Sequence, residues 1–198
     1  MRKIRMIKSH FRKHDNIIYE VMLDMDFSLL SKPEKQDNFF AKLCREIIGQ
    51  QLASKAAKAI LNRFTDLFPN KKVTPDRVLA ISDQKLRDVG MSWAKVKYIK
   101  NLAQKTENKE IALSKLTSLD NEAVILELTK VKGIGRWTAE MFLMFTLGRE
   151  NVFSHGDLGL KKAIKKIYGL KDKPSENEIN KIANKWEPYK TYGCLALW

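Results

Sequence analysis

The chain has 198 residues, with 37 Lys and Arg against 23 Asp and Glu, a net charge of +14 at neutral pH. A hydrophobic content of 44% excludes a disordered chain, and the length suffices for a core without staples. No uncharged apolar run reaches the roughly 18 residues of a membrane span, so no membrane association is expected.

The first stretch, MRKIRMIKSHFRKHDN, is basic. It has no apolar segment of secretory type behind it, so an export signal is not expected. Ile4, Ile7 and Phe11 share one helical face, and the weak pattern over residues 7–25 predicts one helix ending before the loop Ser31-Lys32-Pro33. His10 and His14 share a face and read as solvated surface. Phe39, Phe40, Leu43, Cys44, Ile47 and Ile48 predict a buried helical stripe, and Ala56, Ala57, Ile60, Leu61 and Phe64 a second. Pro69 and Pro75 bracket a loop, two short helices follow around 76–89, and a longer one begins at Trp93, which reads as a core residue at the head of the stripe Val96, Ile99, Leu102 and Ala103. Val124, Ile125 and Leu128 mark a helix ending near Lys130. From Ala139 to Leu147 the chain is apolar nearly all round, which predicts a buried helix stopped by Gly148. Ser175-Glu176-Asn177-Glu178 is a capping-box pattern, opening a helix expected to run to Trp186. No strand alternation is visible, so the fold class is all-α.

Only two cysteines are present, Cys44 and Cys194, far apart and each within apolar sequence. They read as core residues and exclude a four-cysteine zinc or iron–sulfur site. The basic residues cluster at 2–13, again at Lys95, Lys97, Lys100 and Lys105, and at 161–173, a surface field suited to a polyanion.

Two segments carry chemistry. In Leu128-Thr129-Lys130-Val131-Lys132-Gly133-Ile134-Gly135-Arg136-Trp137-Thr138-Ala139 one helix ends, two glycines flank an apolar residue, and a buried helix begins. Both glycines permit positive φ and close backbone approach, and the amides of Gly135, Arg136 and Trp137 would face outward at a helix N-terminus, a ready anion site. This reads as a helix–hairpin–helix holding a DNA phosphate without reading sequence. Asp157 then opens a helix with the stripe Leu160, Ala163, Ile164 and Ile167. It is a natural N-cap, and a functional role requires the same carboxylate to face a ligand.

These segments, with Ile47-Ile48-Gly49-Gln50-Gln51-Leu52 and Val89-Gly90-Met91-Ser92 followed by Lys95 and Tyr98, resemble the helix–hairpin–helix–Asp superfamily of DNA glycosylases. The ending Trp186-Glu187-Pro188-Tyr189-Lys190-Thr191-Tyr192 and Trp198 is similar to its 3-methyladenine DNA glycosylase II branch. The resemblance implies two helical lobes with an active-site cleft between them, one over 38–146 and the other made of 1–37 with 147–198. It implies Asp157 as the catalytic carboxylate, a phosphate hairpin of Gly133, Gly135, Arg136 and Lys132, and Gln51 as the wedge filling the gap left by a flipped nucleotide. Backbone carbonyls of Thr129, Val131 and Ile134 would hold a monovalent cation, Na+ or K+. Lys132 stands where the family usually has Pro. Trp137 stands where members that cut the strand through a Schiff base have Lys, so hydrolysis without strand cleavage is expected, and no iron–sulfur cluster.

A flipped base needs an aromatic pocket, for which Trp137, Trp198, Tyr189, Tyr192 and Met141 are the candidates. The expected activity is hydrolysis of the N-glycosidic bond of alkylated purines such as 3-methyladenine and 7-methylguanine, by a monomer acting on double-stranded DNA with damaged bases. The compartment would be the cytoplasm of a prokaryote or the nucleus of a eukaryote. Two alternatives stay open: a glycosylase for oxidised or deaminated bases, with or without lyase activity through Lys132, and a non-catalytic DNA-structure-binding protein.

Overall fold

A computed structural model describes residues 2–25, 27 and 33–198. Among these residues the secondary structure is helical, without strands, and no helix is long and apolar enough to cross a membrane. The chain divides into two units, residues 34–142 and residues 1–33 with 143–198.

The middle unit is built from α3 (Phe39–Gly49), α4 (Ser54–Asp66), α5 (Pro75–Ala80), α6 (Asp83–Asp88), α7 (Trp93–Glu107), α8 (Asn121–Thr129) and most of α9 (Arg136–Phe145). Its centre is α7, packed by α3, α5 and α6. The stripe Phe39 to Ile48 is fully inside, as are Val96, Ile99, Leu102, Val124 and Leu128. In α4 only Phe64 is buried, with Ile60 and Leu61 half-buried and Ala56 exposed, so that stripe covers an edge of the core. Trp93 departs from its expected core position: its side chain is 49% exposed. Its helix starts with a Ser92 hydroxyl cap to the Lys95 amide, which leaves position 93 in the first turn on the solvent side. Ser82 caps α6 on the Lys85 amide and Asp120 caps α8 on the Ala123 amide, as Ser92 caps α7.

The basic cluster 95–105 is a surface field only in part. The Lys95 ammonium donates to the carbonyls of Ile48 and Gln50 at 2.8 Å each, Lys100 to those of Leu79 and Ile81, and Lys105 pairs with Glu110. Lys95 and Lys100 serve as struts because a helix C-terminus leaves carbonyls without intrahelical partners, and an ammonium with three donors answers several of them at once.

The second unit holds α1 (Arg2–His14), α2 (Asn16–Met22), α10 (Leu158–Ile167), α11 (Glu176–Asn184) and α12 (Lys190–Leu197). The single helix expected over 7–25 is two helices broken at Asp15, whose backbone has φ −155°. The Ser31-Lys32 part of the expected loop lies outside the described residues. The break has a tertiary cause. The buried Asp15 carboxylate accepts from the Tyr168 hydroxyl at 2.6 Å and the Trp186 indole at 3.0 Å, and a buried charge is tolerated only where such donors meet it. Burial and the adjacent Asp15 carboxylate both push the Tyr168 phenol up from its ordinary pKa. Trp186 is fully buried, and a Cβ on Gly193 would lie 2.3 Å from its ring, so glycine is what lets α12 close on the indole. The Ser175–Glu178 capping box forms as read, and its helix ends at Asn184, two residues before Trp186.

The division at 142/143 falls within α9. Phe142 meets the Phe39 ring in the middle unit, and three residues on Phe145 meets the Trp198 ring in the other. Gly148 lies just beyond α9 at φ +66°, as expected of a helix stop.

Candidate active site

The hairpin follows α8 directly. Leu128 O accepts from the Val131 amide and Val131 O from the Ile134 amide, both at 3.1 Å, which makes two consecutive tight turns. Val131 and Ile134 point into the core and anchor them. Gly133 has φ +88°, and a Cβ there would lie 2.2 Å from the Tyr98 ring, so glycine is required twice over. Gly135 corrects one expectation: its φ is not positive. A Cβ on it would meet nothing within 4 Å, so its bareness serves no contact inside the chain and leaves open space beside the start of α9.

Three distant residues fix this turn. The Gln50 amide donates to Gly133 O at 2.8 Å and to the Thr138 hydroxyl at 3.3 Å. The Tyr98 ring lies against Gly133, and the Asn101 side-chain oxygen accepts from the Lys132 amide at 3.0 Å. This last bond explains how the chain accommodates Lys at a position where the resemblance leads one to expect Pro, since Pro has no N–H to give. The residue after Gln50 is Gln51, exposed and left-handed at φ +56°, so its side chain projects from a turn whose preceding carbonyl Lys95 holds. Burial lowers the Lys95 pKa.

Arg136, expected among the phosphate contacts, has its guanidinium committed elsewhere. It forms a two-pronged pair with Glu122 and a 3.0 Å bond to the buried Glu140. The bond to Glu122 leads the causes that raise its pKa. What Arg136 offers a ligand is its amide in the first turn of α9. Lys132 is exposed, Trp137 is 44% exposed and Met141 is buried on the same helix. The backbone at Thr129, Val131 and Ile134 offers neutral carbonyl oxygens. Val131 O keeps a lone pair beyond its bond to Ile134, a donor set that suits a monovalent ion.

In the other unit Asp157 is half-buried at the N-cap of α10, its Oδ1 accepting the Leu160 amide at 2.8 Å. A negative charge is favourable at that end of a helix. The strap leading to it is pinned by Thr191, which is fully buried. Its hydroxyl donates to Arg149 O at 2.7 Å and accepts from the Val152 amide at 3.2 Å, while its own amide donates to Glu150 O. Phe153, on the same strap, packs on Trp186. Trp198 is 46% exposed, and Tyr189 is half-buried against His10 and Tyr192. Tyr192 sits in the core at 5% exposure, its hydroxyl on Glu150 and its ring on Phe27. His155 contacts Phe153 edge-on. Among the described residues no group of three or more His, Cys, Asp or Glu is placed to hold a metal ion.

Asn101, Asp15 and Tyr168 carry no signal in the sequence, because each acts through partners remote along the chain, and Thr191 stood in a recognised segment without its pinning role. Gln50 and Lys95 stood inside the recognised segments, without their strut roles.

A glycine turn feeding a helix N-terminus, followed by a helix-capping aspartate in an all-helical fold, defines a class of DNA-repair proteins. The chain belongs to the HhH-GPD superfamily of base excision DNA repair proteins, whose sequence profile matches residues 44–188. It is 35% identical over 158 residues to Bacillus subtilis YfjP, covering 77% of this chain and 55% of that one, so it spans little more than half of that relative. The fold is similar to the crystal structure of DNA-3-methyladenine glycosidase from Bacillus halodurans, with a TM-score of 0.81, 34% identity, and coverage of 97% of this chain and 87% of that one. It is also similar to Schizosaccharomyces pombe 3-methyladenine DNA glycosylase (Mag1) in complex with abasic DNA, with a TM-score of 0.77, 28% identity, and coverage of 97% and 94%.

Proposed function

We propose that the protein is a monofunctional DNA glycosylase that hydrolyses the N-glycosidic bond of alkylated purines in double-stranded DNA. The observation that carries this reading is Asp157, a half-buried carboxylate accepting the Leu160 amide at the start of α10 in a chain of this family. The names of the similar proteins from B. halodurans and S. pombe agree with it.

The residues support a mechanism. The hairpin at Gly133–Gly135 and the first-turn amides of α9 take a phosphate, and Thr129, Val131 and Ile134 would hold a monovalent cation whose charge assists. The damaged nucleotide leaves the stack at a cost of roughly a few kcal/mol, least where pairing is already weakened. Gln51 fills the gap. The aromatic candidates to receive the base are Trp137 in the middle unit and Trp198 and Tyr189 in the other, while Tyr192 and Met141 are buried in their own units. A 3-methylated adenine is cationic, so stacking on electron-rich rings favours it by about 0.5–2 kcal/mol. As the bond to the base lengthens, positive charge grows on the sugar, and the Asp157 carboxylate stabilises it and orients water. A cationic base departs without a proton, so no second acid is needed. Trp137 supplies no amine for a Schiff base, so the strand stays intact. The enzyme acts as a monomer wherever the chromosome lies, in the cytoplasm of a prokaryote or the nucleus of a eukaryote.

The test is release of free 3-methyladenine and 7-methylguanine from alkylated duplex DNA by the wild type and by Asp157→Asn. The reading expects release by the first, loss in the second and unchanged DNA binding. An active Asp157→Asn enzyme refutes the role of the carboxylate, and a borohydride-trapped adduct would move the chemistry to Lys132.

A further inference from the structure

The basic face of the N-terminal helix has no role in the site described above. α1 carries no acidic residue, and among the described residues Lys3, paired with Glu150 at 2.7 Å, is its one cation in an ion pair. Its inner face is not spare: Ile7 and Phe11 are fully buried and fix the helix on its unit. Along another face, α1 and Tyr19 of α2 line an open groove of about 710 Å³ with Ile4, Arg5, Lys8, Ser9 and Arg12. Arg5 and Arg12 are exposed. Lys8 is held at the side of the groove, its ammonium on Leu23 O at 2.8 Å and 5.8 Å above the Phe27 ring. Of the carboxylates on these two helices, Asp15 is buried on Tyr168 and Trp186, and Glu20 is exposed.

We infer that this groove binds the phosphodiester backbone of nucleic acid. Arg5 and Arg12 are seven residues apart, on one face and about 10 Å along the helix axis, so their two guanidinium groups can engage separate phosphates of one backbone. Guanidinium groups grip phosphate oxygens two at a time, and Ser and Tyr hydroxyls are ordinary phosphate donors. A helix without acids facing a groove with three cations would repel itself if nothing came to neutralise it. A phosphodiester backbone carries its charges at a regular repeat, so two guanidinium groups on one helix face can each find one. The choice of DNA as occupant rests on the function proposed above; the charge of the groove does not.

The experiment compares the wild type with R5Q/R12Q for binding of a fluorescent undamaged 20-base-pair duplex at several salt concentrations. The expected result is weaker binding, with a slope of log affinity against log salt shallower by about 2, one for each phosphate contact removed. R5K/R12K should restore the slope, and K72Q/K109Q, which removes two exposed charges outside the three basic clusters, should leave it near wild type. Thermal melting checks that each variant folds; should R5Q/R12Q fail to fold, the single variants R5Q and R12Q should each lower the slope by about 1. An unchanged slope overturns the inference. So does an equal loss in K72Q/K109Q, which would show a diffuse effect of net charge, or a polyglutamate peptide that binds wild type but not R5Q/R12Q while DNA binding is equal in both. Because the duplex carries no lesion, a wild type that releases no base would sink the proposed activity without touching this result.

Discussion

At the hairpin, Gly133 is fixed by groups 32 to 83 residues away in the chain: Gln50 on its carbonyl, Tyr98 against its Cα, and Asn101 on the neighbouring amide. Asp157 is bonded to the amide of Leu160, three residues on, and the strap before it is held by distant Thr191 and Trp186. The two regions should therefore fail differently. Damage at the hairpin ought to change stability and DNA affinity together, whereas damage at Asp157 ought to change rate alone.

The sharpest way to break this contrast is Asp157→Asn. Asparagine caps a helix nearly as well as aspartate, so the melting temperature should hold while single-turnover base release falls about 10³-fold, as for removal of a charge-stabilising group. A parallel drop in melting temperature would show that the carboxylate is structural. Next in size is Asp15→Leu, which strands the Trp186 indole and the Tyr168 hydroxyl. At about 1–3 kcal/mol for each buried donor left unmet, urea unfolding should show a loss near 3 kcal/mol, with the strap at Phe153 loosened as Trp186 shifts.

Gly133→Ala probes the other region. The added Cβ must displace the Tyr98 ring and hold a positive φ, at a cost of about 2–3 kcal/mol, and the affinity for undamaged duplex should fall with it. Gln50→Leu removes the donor to Gly133 O and Thr138 and should cost about 1–2 kcal/mol, with weaker binding but an intact rate at saturation. The smallest effect is expected of Lys132→Pro, the residue usual in the family. Here it deletes the amide that Asn101 accepts from, so it should destabilise by about 1 kcal/mol instead of stiffening the turn. A stabilised Lys132→Pro variant would show that the Asn101 bond contributes nothing.

What the sequence settled by itself was whatever depends on neighbours within a turn or two. The helical stripes, the glycine at Gly133, the capping box at Ser175 and the cap at Asp157 are of this kind, because periodicity, φ preference and N-terminal amides are local physics. The break at Asp15, the exposure of Trp93, the inward-turned ammonium of Lys95 and the capture of Arg136 by Glu122 and Glu140 were decided only in the folded chain. Each turns on whether a charge or a ring finds a partner that the backbone brings in from far along the chain. The cost of burying such a group unmatched is large enough to overrule local preference, and no pattern of adjacent residues encodes where that partner will be.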